Sequence, residues 1–218
     1  MASTSGQSST GGQLARRILY LALVTGLGLF VIYAATRAIQ AAFVNDDFPE
    51  ALAVKLELLP WLFPVHMIAG GAALLLVPLA ILLRHQPARH RIAGRIAATS
   101  VAIAGVTAFP VALLAPVTAW SAAGFAAQGT VWLVLLVAGV IAIRRRQVMR
   151  HRACMLLMAA TTSGALFFRV YLALWALYGS QRHYEAFYAA DAWLAWTIPL
   201  GFTALMLKRT GAKRRDPR

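Results

Sequence analysis

Six apolar stretches, at or near the roughly 20 residues that a helix needs to cross a hydrocarbon core, constrain this chain more than any other feature. They lie near 16–38, 60–83, 93–117, 128–144, 153–178 and 192–208, the fourth and sixth being the shortest. No period-2 alternation of apolar and polar residues runs through them, which disfavours a transmembrane β-barrel. A helix closes its own backbone hydrogen bonds and so tolerates lipid. Only 13% of the 218 residues are charged and 60% are apolar, too few charges to coat a soluble globule. The same apolar fraction excludes disorder for the bulk of the chain. The sequence therefore predicts an all-α integral membrane bundle of six transmembrane helices over 15–208. It is flanked by a Ser/Gly-rich tail at 1–14, expected to be disordered, and a basic tail at 209–218.

The charges orient the bundle. Arg16 and Arg17 precede the first span, and Arg84, Arg89, Arg91 and Arg95 lie between the second and third. Arg144, Arg145, Arg146, Arg150 and Arg152 lie between the fourth and fifth. Lys208, Arg209, Lys213, Arg214, Arg215 and Arg218 follow the sixth. These seventeen of the 21 basic residues share one face, which the positive-inside rule makes cytoplasmic together with both termini. Six of the seven acids, Asp46, Asp47, Glu50, Glu57, Glu185 and Asp191, fall on the other face. The net charge of +14 is thus a topology signal and not the footprint of a nucleic-acid binder. The inner loops are expected to meet anionic lipid headgroups, and the chain to reside in a cytoplasmic membrane. The first span has the flanks of a signal peptide, but its length favours a retained anchor. The lone Cys154 can form neither an internal disulfide nor a cysteine-based metal site.

Ionisable residues inside spans are costly and point to function. Arg169 lies well inside the fifth span and His66 near the outer start of the second. At about 1.5 Å per residue both come to lie roughly 9 Å below the outer boundary, at one level, where they can face a shared pocket. Trp61, Tyr171, Trp175, Trp193 and Trp196 surround that level, and Asp191 is a candidate partner for Arg169. Two readings stand side by side: an aromatic belt with a satisfied arginine, and an outward-opening pocket for an anionic or redox-active ligand. Gly70 and Gly71, one turn past His66, allow another helix to come close.

A second constellation lies on the basic face. His90, Arg91, Gly94 and Arg95 open the third span; His151, Arg152 and Met155 open the fifth. The two runs form a weak internal repeat. Each Arg can snorkel to headgroups while each His packs on a helix end. Alternatively His90 and His151 face each other as axial ligands of a haem b. His85 and His183 fall in loops. No phosphate-binding glycine loop, His-Glu-x-x-His helix or Gly-x-Ser-x-Gly elbow occurs.

His66, Pro78, the run His90 to Arg95, the run His151 to Met155, Arg169, and Trp193 with Trp196 occur in this order over roughly 60–200. In this the chain resembles the bacterial membrane proteins grouped as domain of unknown function 2306. It has Ala80, Ala97 and Leu157 near places where that family tends to have Gln, Tyr and Arg. The resemblance implies a multi-span protein with an outer-leaflet His and an intramembrane Arg, and it implies no function. Three expectations remain: a redox-linked protein holding haem or a quinone, a transporter or receptor with an outward pocket around His66 and Arg169, and a structural or assembly protein.

Overall fold

A computed structural model describes residues 7–40, 42 and 50–215. Helices α1 (Gln7–Gln40), α2 (Glu50–Leu58), α3 (Leu62–Leu82), α4 (Pro87–Leu113), α5 (Ala119–Arg144), α6 (Val148–Tyr178) and α7 (Tyr184–Arg215) follow one another. Short 3₁₀ turns lie at Leu83–His85 and Gln181–His183. All but α2 lie in stretches long and apolar enough to cross a membrane. The connections from α3 onward are short, so successive helices run antiparallel. One end of the bundle, the basic end, carries the α3–α4 and α5–α6 turns. The other end carries α2 and the α4–α5 and α6–α7 connections.

Local chemistry moves several boundaries away from those the apolar pattern predicts. α4 begins at Pro87 rather than 93, because a proline at the first helical position has no N–H to leave unpaired. It stops at Leu113 rather than running to 117: Leu114 is extended, and Ala115 takes a φ of 46° ahead of Pro116. α5 begins at Ala119 rather than 128, behind a reciprocal cap. Thr118 Oγ1 accepts the Ser121 N–H at 3.0 Å, and Ser121 Oγ accepts the Thr118 N–H at 3.1 Å. α7 likewise begins at Tyr184, ahead of 192, and runs on through the basic tail to Arg215. α1 starts at Gln7, inside the Ser/Gly-rich stretch read as a tail; the rest of that stretch, 1–6, lies outside the described residues, as do Asp46 and Asp47. The segment between the first and second apolar stretches contains α2.

α3 to α6 pack around one core of Ala73, Val77, Ala97, Val101, Leu136 and Met158. α7 lies on α5 and α6, and α1 lies on α3 through Ala34 and Ala35. In lipid, helices associate by close packing, and small residues permit it. A Cβ on Gly71 would stand 2.9 Å from the Ala35 carbonyl oxygen of α1. One on Gly124 would stand 2.8 Å from the Ala192 carbonyl of α7, and one on Gly164 2.7 Å from Trp196 Cβ. Backbone cannot retreat from such contacts. Gly124→Ala is expected to cost about 1–3 kcal/mol, the usual range for overpacking, read as a lower melting temperature.

The two His-Arg runs lock the two hairpins in the same way. His90 Nδ1, at the start of α4, donates to the Ala80 carbonyl in the last turn of α3 at 2.8 Å. His151 Nδ1, at the start of α6, donates to the Gly139 carbonyl of α5 at 2.9 Å. The Ala80 carbonyl belongs to a helix end that lacks intrahelical partners. Met155 Cε sits where a Gly139 Cβ would be, so the second hairpin closes tightly. His90→Ala and His151→Ala should each remove about 1 kcal/mol, the net worth of one hydrogen bond. Additive losses in the double variant, by thermal unfolding, would check that the two locks are independent.

Candidate functional site

Seven helices converge on a cavity of about 440 Å³ in the half of the bundle nearer α2. α3 lines it with a continuous stripe, Phe63, His66, Met67, Gly70, Gly71 and Leu74, at the spacing of one helix face. α6 contributes Thr162, Gly164, Ala165, Phe168, Arg169 and Leu172. α5 adds Ser121, Phe125, Gln128 and Trp132; α7 adds Tyr188, Ala192 and Ala195; Lys55 reaches in from α2. The walls are largely apolar, with a few polar atoms, the usual character of a small-molecule site, and the volume falls in the range such sites occupy.

His66 is fixed in one tautomer. Its Nδ1 lies 3.1 Å from the Ala104 carbonyl and 3.0 Å from Thr107 Oγ1. A carbonyl only accepts, so Nδ1 carries the proton and Nε2 is left as a bare acceptor. Arg169 has five N–H donors, and its hydrogen bond goes from Nη1 to the Ala165 carbonyl one turn back, at 2.7 Å. The pairing with Asp191 expected from sequence is not made. Asp191 is 2% exposed with both carboxylate oxygens unpartnered, and it does not line the cavity. On α7 it is Tyr188, Ala192 and Ala195, not Asp191, that line the cavity.

Lys55 lay outside the set of candidates, since it reads as an ordinary charge in an outer loop. Its Nζ donates to the carbonyls of Val111 and Leu114 at the end of α4, each at 2.7 Å. Burial pushes its ammonium below the ordinary lysine range. Gln128 was missed as well, because only ionisable groups within spans were taken as signals. It donates from Nε2 to the Thr161 carbonyl at 3.1 Å, leaving Oε1 as an acceptor. Among the described residues no Asp or Glu lines the cavity.

The aromatic candidates serve elsewhere. Trp61 is 85% exposed at the start of α3. Tyr171 packs beside Phe167, and Trp175 stacks on Phe187 with ring centroids 4.2 Å apart. Trp193 donates to the Trp120 carbonyl at 3.1 Å, and buried Trp196 to the Ala192 carbonyl at 3.0 Å. Trp175 thus ties α6 to α7 and Trp193 ties α7 to α5, while the Tyr171 and Trp196 contacts stay within their own helices. At the basic end Arg91, Arg95 and Arg152 are exposed, Gly94 has open space around it, and Met155 packs on the core. Neither His90 nor His151 lines the cavity. No group of three or more His, Cys, Asp or Glu suited to a metal ion occurs among the described residues.

The family model described as predicted membrane protein (DUF2306) matches residues 63–207. The chain belongs to this family. The match spans α3 to nearly the end of α7, so it contains every cavity element except α1 and α2, and with α2 it leaves out Lys55. No curated protein and no solved structure matches the chain.

Proposed function

We propose that this DUF2306 protein binds a small molecule within the membrane, as a transporter or receptor whose ligand occupies the cavity around His66 and Arg169. One observation carries the reading: the Arg169 guanidinium borders an apolar cavity with one hydrogen bond, to its own helix, and no acid beside it. A charge at this depth costs several kcal/mol unless something pairs it, and a ligand that brings the missing acceptors would do so. The test is a thermal-shift screen of the detergent-purified protein against small metabolites. A compound that raises the melting temperature of wild type, and leaves Arg169→Ala unmoved, supports the reading. Equal shifts in both would remove it.

A bound quinone cofactor is a second reading, and the His66 tautomer favours its reduced, quinol form. Nε2 offers a lone pair to one quinol O–H, and Arg169 offers donors to the oxygen of the opposite hydroxyl. Solvent extracts and oxidised-minus-reduced spectra of the purified protein decide it. They should show a quinone, and no Soret band, if this second reading holds.

We place the basic end in the cytoplasm, from the distribution of Lys and Arg alone. A C-terminal fluorescent-protein fusion should then glow, and a C-terminal alkaline phosphatase fusion should stay inactive. At that end a groove of about 530 Å³ runs along Leu133, Val134, Val137, Ala138 and Ile141 and ends at Arg145 and Arg150. It suits an acyl chain below an anionic headgroup. Phosphatidylglycerol should stabilise wild type over phosphatidylcholine. The gain should shrink in Arg145→Gln/Arg150→Gln but not in Arg89→Gln/Arg91→Gln, which removes the same charge elsewhere.

A further inference from the structure

We infer that the cavity takes a single-chain amphiphile with an anionic oxygen head, a carboxylate or phosphate monoester, clasped between Arg169 and Lys55. The inference rests on the cavity being the ligand site, and it names what that ligand must be. The first argument is charge. Two cations border the cavity, and among the described residues no carboxylate does. In surroundings of low dielectric constant that imbalance favours an anion and rejects a cation.

The second argument is the count of donors. Arg169 spends one of its five N–H groups on Ala165, and its planar fork matches a carboxylate or phosphate. Lys55 spends two of its three on the Val111 and Leu114 carbonyls, which hold the ammonium at the cavity and leave one donor over. The third argument is shape. Along α3 the lining runs from Phe63 to Leu74, roughly 16 Å at 1.5 Å per residue. Phe125, Phe168 and Leu172 continue the apolar wall on the facing helices. A charged head near α2 with an extended tail lying along α3 meets both kinds of surface. A bare inorganic anion would leave the apolar length empty, and an uncharged chain would leave the cations unmatched.

The full chain in phosphatidylcholine nanodiscs tests this with dodecanoate, dodecyl phosphate, dodecanol, dodecyltrimethylammonium and inorganic phosphate. The first two should raise the melting temperature of wild type, and the other three should not. Lys55→Gln should weaken the apparent affinity for dodecanoate about 10- to 100-fold, the worth of one hydrogen bond to a charged group. Lys55→Arg should keep it, and Arg169→Gln should lose the shift. If dodecanol stabilises as well as dodecanoate and the effect needs Arg169, the anionic head is refuted while the cavity remains the ligand site. If inorganic phosphate alone reproduces the shift, the tail is refuted. If neither anionic amphiphile shifts wild type, the inference is refuted and the metabolite screen alone decides the ligand site; if both shift Arg169→Gln as much as wild type, the inference and the ligand site fall together.

Discussion

Gly70→Leu should abolish dodecanoate binding while the bundle melts at or above the wild-type temperature, whereas Gly71→Leu should unfold it. The two residues are neighbours, and their different surroundings produce the opposite outcomes. Gly70 lies one turn below His66, in the middle of the stripe that α3 presents to the cavity, and a Cβ there meets nothing within 4 Å. A leucine side chain enters open space and fills it. The helix also gains, since glycine is about 1 kcal/mol worse than alanine in a helix interior and leucine is close to alanine. Gly71 faces α1, where a Cβ would stand 2.8 Å from Ile39 Cγ1 and 2.9 Å from the Ala35 carbonyl. Placing leucine there forces α1 off α3. Melting curves with and without dodecanoate read both effects. A Gly70→Leu protein that binds normally would mean that the cavity is not the site.

Arg169→Met should yield a protein that is more stable than wild type and deaf to its ligand. An arginine at the centre of a span costs about 2.5–3.5 kcal/mol on translocon-insertion scales, an upper bound for Arg169 in the outer half. The single bond from Nη1 to Ala165 offsets only part of that. Methionine keeps much of the length, packs on Phe168 and Leu172, and carries no charge to desolvate. A site kept for binding commonly gives up stability. If Arg169 were instead a structural pin, its removal would leave partners unsatisfied and lower the melting temperature. The sign of the change therefore separates binding from packing, and a drop of several degrees would favour the structural reading.

Membrane helices announce themselves through length and apolar content, which is why the six spans and their class could be read from sequence. Their ends could not, because ends depend on single residues: the Thr118–Ser121 cap, Pro87 at a helix start, and the backbone reversal at Ala115. His66 and Arg169 stood out because charge in lipid is rare, and both line the cavity. Depth along a helix is calculable from residue number, but the direction a side chain faces depends on how neighbouring helices rotate. For that reason Asp191, Trp193 and Trp196 were grouped with the pocket although they pack beside it. Lys55 was hidden by its place in a loop, where nothing in the sequence marks the short helix that brings it back over α4. The shared role of His90 and His151 as hairpin locks follows the repeat visible in sequence, while the carbonyls they bind are set by the fold.

The most direct test is a diffraction experiment on crystals grown from lipid with 11-bromoundecanoate, a fatty acid with a heavy atom at its tail. The account predicts anomalous bromine signal inside the cavity, in the neighbourhood of Leu74, with the carboxylate in hydrogen-bond reach of Arg169. Bromine found only on the outer faces of the helices, with Arg169 contacting nothing but Ala165, would contradict it.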